Sequence, residues 1–276
     1  MTTNAATDQA RVAAVRVAEH PVLEALARIG FVGYGVVHLL VAWLVLQIAL
    51  GRPAPDGDQA GALRTLAGQP FGRVAVIAVA VGLAAMALWR GLEALVGHRA
   101  DRGWIRTGER LLSVGRAALY GYFAVLAAKV VRDAGTSAAE SQQAMTARLL
   151  ATSGGRVLVV ALGLAIAAAG AGLVWYGATR HFDKHLDLGR MSAPARRLIG
   201  RIGTVGYVGK GVAYGIAGLL LASAAVTYDV DRARGLDATV RELATRPYGT
   251  IALWAVSLGV AGFGAFGILQ ARYRRI

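Results

Sequence analysis

The stretch LRTLAGQPFG (residues 63–72) decides the fold, because the chain uses it more than once. It returns as VRELATRPYG (240–249), which keeps proline, an aromatic residue and glycine at its last three positions. A looser copy, ARLLATSGG, lies between them at 147–155. An apolar segment that ends in this way predicts a short interfacial helix followed by a sharp turn. The alternative is a re-entrant element, which would have to line a cavity inside the protein.

The composition indicates a membrane protein. The 276 residues are 56% hydrophobic and 17% charged, whereas a soluble domain carries about 25% charged residues. The chain therefore lacks the polar residues that would cover it in water. The net charge of +14 raises nucleic acid as a partner, but the arginines flank apolar runs and form no basic stripe with interleaved aromatics. We expect no nucleic-acid partner. The absence of cysteine excludes disulfides and thiolate metal sites.

Six apolar runs are long enough to cross the roughly 30 Å hydrocarbon core of a bilayer as helices. They are residues 29–50, 74–96, 111–131, 157–178, 202–227 and 251–270. Helices are favoured over a barrel because barrel strands would be shorter and would alternate in polarity. The sequence thus predicts an all-α integral membrane protein with six transmembrane helices.

Basic residues set the predicted orientation. The side that carries both termini holds 19 of the 30 Lys and Arg residues. Because cytoplasmic loops are enriched in Lys and Arg, we expect both termini in the cytoplasm and the protein in the plasma membrane. The repeated hinge segments then face outward.

The spans group into three tandem two-helix repeats, since each hinge joins an odd-numbered span to an even-numbered one. We divide the chain into an N-terminal cytoplasmic segment (1–27), repeat 1 (28–97), repeat 2 (98–180), and a basic loop with repeat 3 and the C-terminus (181–276). Two crossings return the chain to its starting side, so the repeats share one orientation. The predicted symmetry is a pseudo-threefold axis along the membrane normal.

Glycine is dense in the odd-numbered spans, and Gly33, Gly115 and Gly209 occupy one aligned position. Small residues allow helix backbones to approach closely in lipid. We interpret the three glycines as helix-packing positions at the seam of the bundle. A glycine-lined channel is the alternative.

Several motifs carry a resemblance to a known family. Arg28-Ile29-Gly30 recurs as Arg201-Ile202-Gly203, and the helix motif at 35–38 recurs at 211–214. Leu88-Trp89-Arg90 closes the second span. The pattern, over about residues 24–270, resembles the actinobacterial membrane proteins called domain of unknown function 1206. That resemblance implies six helices in three repeats and no activity. Ala117 and His38 depart from the family pattern.

One segment resembles a metal site. His181, Asp183, His185 and Asp187 follow the fourth span, and two histidines four residues apart can hold zinc on a helix. The simpler interpretation, which we adopt, is a solvated loop that binds no metal. No cofactor is expected.

Two aligned positions on the odd-numbered spans suggest an anion or lipid-headgroup pocket. Tyr34, Arg116 and Lys210 share the first position, and His38, Tyr120 and Tyr214 lie four residues later. If this face points to the axis, the cations and their neighbours converge on a phosphate or a phospholipid headgroup. The alternative, which we favour from the sequence, is that Arg116 and Lys210 reach the interface separately.

The sequence contains no set of residues typical of an enzyme, and no span carries a carboxylate at mid-depth. We therefore expect a non-enzymatic protein of the cell envelope that acts as a scaffold or binds a lipid or a partner. Anionic membrane lipids are the expected ligands. The alternative is a small channel or transporter with a path along the pseudo-threefold axis. The molecular activity, a protein partner and the oligomeric state do not follow from the sequence.

Overall fold

The computed structural model describes residues 21–54, 56–96, 103–132, 145–227 and 236–274. These residues form long helices joined by short helices at the turns. The helices are α1 (Pro21–Ala49), α2 (Gln59–Ala67), α3 (Gly72–Val96), α4 (Gly103–Val131), α5 (Ser153–Ala178), α6 (Ala193–Thr227), α7 (Leu236–Ala244) and α8 (Gly249–Tyr273). A helical segment over 145–150 precedes α5. Two 3-10 helices, His181–His185 and Leu188–Arg190, lead from α5 to α6.

Six of these helices (α1, α3, α4, α5, α6 and α8) are long and apolar enough to cross a membrane. The predicted all-α fold with six spans is therefore confirmed. Three helices begin earlier than the predicted spans, α1 at Pro21, α4 at Gly103 and α6 at Ala193. A helix can continue into the interface when its basic side chains reach the headgroups. Residues 21–27 thus belong to α1, and residues 1–20 lie outside the described residues.

The three hinge segments form short helices at one end of the bundle. We call α2, the segment 145–150 and α7 the hinge helices, and their end of the molecule the hinge end. The opposite end, which carries the loop between α5 and α6 and the last turn of α8, is the basic end. The membrane side that each end faces is a prediction from the charge distribution alone.

The spanning helices pack in a defined order of neighbours. The order is α5, α6, α8, α1, α3 and α4, with each helix packed on the next. The two helices of repeat 1 pack on each other, as do those of repeat 3, but within the described residues α4 and α5 form no packed interface. The predicted pseudo-threefold axis is compatible with this order and stays a prediction.

The aligned glycines differ in what they contact. A Cβ on Gly33 would lie 2.9 Å from the Val79 side chain, and a Cβ on Gly209 would overlap the backbone of Gly259. Both glycines therefore sit at a helix–helix seam, as predicted. The same expectation is wrong for Gly115, whose Cβ would meet nothing within 4 Å. The reason is that α5 does not pack against α4 there.

The hinges share one backbone contact in all three repeats. A Cβ on Gly72, Gly155 or Gly249 would overlap the carbonyl oxygen of the leucine six residues earlier. Glycine is needed at these positions because any side chain would push the hinge helix off the next span. The aromatic residue before the glycine, Phe71 or Tyr248, has a φ of 59° or 63°. A bulky residue in this left-handed region is strained.

Candidate functional site

Lys210 lies halfway along α6 and is buried, with 6% of its surface exposed. Its Nζ atom is 2.8 Å from the Tyr34 hydroxyl oxygen and 3.2 Å from His38 Nε2, both on α1. A lysine inside a membrane span is costly unless polar groups surround its ammonium. The contacts between α6 and α1 supply two such groups, 172 and 176 residues away in sequence.

The hydrogen bonds of His38 define its tautomer. His38 Nδ1 lies 2.8 Å from the backbone carbonyl oxygen of Tyr34. A carbonyl oxygen only accepts, so Nδ1 carries the proton and donates it. Nε2 is then the acceptor for an N–H of Lys210. Lys210 therefore donates to Tyr34 and to His38, and one of its three donors remains for another acceptor.

Aromatic rings complete the surroundings of Lys210. Its Nζ atom is 3.8 Å from the ring centroid of Phe263 on α8, and 5.4 Å from that of Tyr214. Ring faces attract a cation through their quadrupole. Within the described residues, however, no carboxylate contacts the ammonium. We call Tyr34, His38, Lys210, Tyr214 and Phe263 the Lys210 cluster.

A narrow cavity extends from the Lys210 cluster to the hinge helices. His38, Lys210 and Tyr214 line one end, and Gly57 and Gln59 lie beside α2 at the hinge end. The wall between them is apolar and comes from α1, α6, α7 and α8. Its side chains are Val41, Val45, Ala213, Ile216, Val240, Leu243, Leu253, Val256 and Val260. We call it the central cavity.

Packed aromatic side chains lie between the Lys210 cluster and the basic end. Phe263 makes an edge contact with Tyr207, with ring centroids 5.3 Å apart. Tyr207 stacks on the fully buried Phe182 at 5.4 Å, and Phe182 packs on Phe266 at 5.0 Å. The central cavity thus ends at Lys210. Aromatic rings pack between Lys210 and the basic end.

The structure brings five of the six predicted pocket residues together. Tyr34, His38, Lys210 and Tyr214 belong to the Lys210 cluster, and Tyr120 packs edge-on against Tyr34 with centroids 5.5 Å apart. Arg116 is half-buried, and in the described part of the chain no hydrogen bond, ion pair or ring contact joins it to these five. Of the two cations predicted to converge on one ligand, Lys210 therefore lies in the cluster and Arg116 does not. A phosphate or lipid ligand for this pocket stays a prediction.

The histidines of the metal-like segment contact other side chains. His181 Nδ1 lies 2.7 Å from Thr179 Oγ1, and His185 Nδ1 lies 3.2 Å from the Tyr176 hydroxyl. Asp183 pairs with Arg180 at 2.9 Å. Among the described residues no group of three or more His, Asp and Glu side chains could hold a metal ion.

Sequence reasoning missed Phe263, whose ring face lies 3.8 Å from Lys210 Nζ. Nothing distinguishes it from the other apolar residues of the last span. Phe263 reaches Lys210 because α8 packs between α1 and α6, and this packing does not follow from the sequence.

Three segments of the chain match the family described as Domain of Unknown Function (DUF1206): residues 29–97, 113–180 and 205–274. The chain belongs to this family. Each DUF1206 match covers most of one pair of spanning helices, so the two-helix unit occurs three times. A relative from Bacillus subtilis (strain 168), named Uncharacterized protein YxxB, is 27% identical over 262 residues, which is 93% of both chains. Proteins similar to this DUF1206 chain are thus not confined to actinobacteria. No solved structure matches it.

Proposed function

We propose that this multi-pass membrane protein is not an enzyme and that its central cavity binds an anionic amphiphile. The observation that carries the proposal is Lys210, a buried lysine at the end of an apolar cavity that contacts no carboxylate of the described residues. A ligand with a hydrocarbon chain and an acidic head complements both parts. The head would accept the remaining N–H of Lys210, because charge-assisted hydrogen bonds are about twice as strong as neutral ones.

Two observations favour binding over catalysis or a continuous path. The polar groups of the Lys210 cluster hydrogen-bond to one another, and no serine, threonine or carboxylate joins them among the described residues. The packed rings of Tyr207, Phe182 and Phe266 lie between the cluster and the basic end. Both support a site that holds a ligand.

The test compares an acid with its uncharged analogue. Dodecanoate and dodecanol are added to the purified protein in a non-ionic detergent, and bound molecules are counted by native mass spectrometry. We expect dodecanoate adducts in the wild type and few dodecanol adducts. Lys210→Met should weaken dodecanoate binding about tenfold or more, the effect of losing about 1.4 kcal/mol. Lys129→Met, an exposed lysine on α4, is the matched control.

A second variant tests the apolar part of the site. Ala213 lines the central cavity and is buried, so Ala213→Phe fills the space without touching the ammonium. We expect it to lower dodecanoate binding while the protein stays monodisperse. Equal binding in the wild type, Lys210→Met and Ala213→Phe would refute the proposal. Dodecanoate flux across proteoliposomes that depends on Lys210 would establish transport instead.

We also propose that the basic end faces the cytoplasm, supported by its excess of Lys and Arg. The chain has no cysteine, so single cysteines report their own location. An impermeant thiol reagent on intact cells should label Gln69→Cys at the hinge end and spare Ser192→Cys at the basic end. The reverse pattern would show that the orientation is inverted.

A further inference from the structure

The seam between α4 and α5 is open. These are the least covered spans, with 22% and 17% of their most apolar windows buried, against 61% for α1. A Cβ added to Gly115 of α4 would have no neighbour within 4 Å in the described part of the chain. At the basic end, Lys184 pairs with Glu109 at 3.5 Å and links the loop after α5 to α4. We call this gap the open seam.

Three arginines of different elements lie on the side of the open seam that leads to the basic end. Arg90 belongs to the last two turns of α3, Arg116 lies halfway along α4, and Arg274 follows α8 directly. We call them the arginine cluster. Arg90 is 2% exposed and Arg274 is 9% exposed. Their Cζ atoms lie 4.4 Å and 5.8 Å from the ring centroid of Trp89, so both guanidinium groups flank one indole.

The arginine cluster carries more positive charge than its protein partners offset. Glu93 forms an ion pair with Arg90 and accepts a hydrogen bond from Ser113 Oγ at 3.3 Å. In the described part of the chain no other carboxylate contacts the three arginines. The buried Nε atoms of Arg90 and Arg274 have no hydrogen-bond partner there. A buried donor without an acceptor is costly, which indicates that an acceptor is missing.

Nearby titratable groups respond to the same positive field. Burial lowers the pKa of Arg274 to about 10, and the charges of Arg90 and Arg116 contribute to the lowering. Burial also lowers the pKa of His185 to about 3, with further lowering by Arg274, Arg116, Lys184 and Arg90. Both shifts agree with the shared contact of Arg90 and Arg274 on Trp89.

We propose that the open seam binds an anionic phospholipid, with its phosphate held by the arginine cluster and its acyl chains along α4 and α5. Guanidinium groups suit phosphate because their planar N–H donors bind two oxygens at once. Arg90 lies in the last two turns of α3 and Arg274 directly after α8, near the level where a bilayer presents its phosphates, and Arg116 lies deeper, halfway along α4. This site is separate from the central cavity and needs no ligand at Lys210.

The experiment compares lipids that differ in one group. Purified protein in a neutral detergent receives phosphatidylglycerol, diacylglycerol or inorganic phosphate. Native mass spectrometry then measures adducts, and thermal unfolding measures stabilisation. We expect phosphatidylglycerol to bind and to raise the melting temperature, because a ligand that binds only the folded state stabilises it. Diacylglycerol and inorganic phosphate should neither bind nor raise the melting temperature. Diacylglycerol lacks the phosphate, and inorganic phosphate lacks the acyl chains.

Variants connect the effect to the cluster. Arg116→Gln and Arg274→Gln should each weaken phosphatidylglycerol binding about tenfold, the effect of losing one strong hydrogen bond to charge. Arg132→Gln, an exposed arginine at the other end of α4, is the matched control. Without lipid, Arg274→Gln should fold normally, because it removes an uncompensated charge.

Three results would overturn the proposal. The first is equal phosphatidylglycerol binding in the wild type and the Arg116→Gln/Arg274→Gln double variant. The second is stabilisation by inorganic phosphate as large as that by the lipid, which would assign the cluster to a free anion. The third is loss of phosphatidylglycerol binding in Lys210→Met alone, which would place the lipid in the central cavity.

Discussion

Repeats 1 and 3 close a seam that repeat 2 leaves open, although all three carry glycine at the aligned position. In α1 and α6 that glycine has a second glycine three residues before it, Gly30 or Gly206. A Cβ on Gly30 would overlap the Gly82 carbonyl group, and one on Gly206 would lie 2.5 Å from Phe263 N. In α4 the corresponding residue is Leu112, which is 53% exposed. Close packing here needs two small residues one turn apart, and a single glycine does not suffice.

The largest expected difference comes from one substitution made in two repeats. Gly209→Leu places a side chain in the backbone of Gly259 and should destabilise the protein by about 3 kcal/mol, the upper range for overpacking. Gly115→Leu, at the aligned position of the open seam, should change stability little. Thermal unfolding of both variants in the same detergent measures the contrast. Similar melting temperatures would show that the α4/α5 seam closes in solution.

The hinges offer a second contrast of intermediate size. Gly249→Ala pushes a Cβ into the Leu243 carbonyl oxygen, and we expect a loss of about 2 kcal/mol from the strain. Gly154→Ala is the control in repeat 2, because a Cβ there meets nothing within 4 Å. Folded yield and melting temperature report the result. A loss in Gly154→Ala as large as in Gly249→Ala would contradict the contact.

The smallest expected effect is an increase in stability. Tyr248 is 84% exposed and has a φ of 63°, so its side chain adds strain and little packing. Tyr248→Gly should raise stability by about 1 kcal/mol, since glycine adopts this conformation freely. Repeat 2 already has a glycine, Gly154, at the aligned position. A lower melting temperature for Tyr248→Gly would show that the exposed ring packs on lipid or on another molecule.

The sequence predicts the spans and the hinges because both depend on local chemistry. Long apolar runs demand helices in a bilayer, and the glycine at the end of each hinge reflects a contact only six residues away. The sequence also predicts part of the Lys210 cluster, because the repeat alignment places Tyr34, His38 and Lys210 on one helical face.

Other features depend on contacts that alignment does not reveal. Gly115 occupies the same aligned position as Gly33 and Gly209. What distinguishes it is Leu112, which stands where the other two repeats have a second glycine. Arg90 and Arg274 look like ordinary interfacial cations near helix ends. Their burial follows from the packing of α3 and α8 on either side of α1, which brings residues 184 positions apart onto one tryptophan.

The packing of α8 on α1 has a consequence for biogenesis. Arg28 of α1 donates to the carbonyl oxygen of Ala271 near the end of α8, across 243 residues. The ribosome releases α1 first and α8 last, so this interface cannot form until the whole chain has been inserted. Tyr34 and His38 are inserted before Lys210 is synthesised, and Phe263 follows later still. Formation of the α1–α8 interface is therefore a late event that follows synthesis of α8, and a chain stalled before α8 leaves this face of α1 without its partner helix.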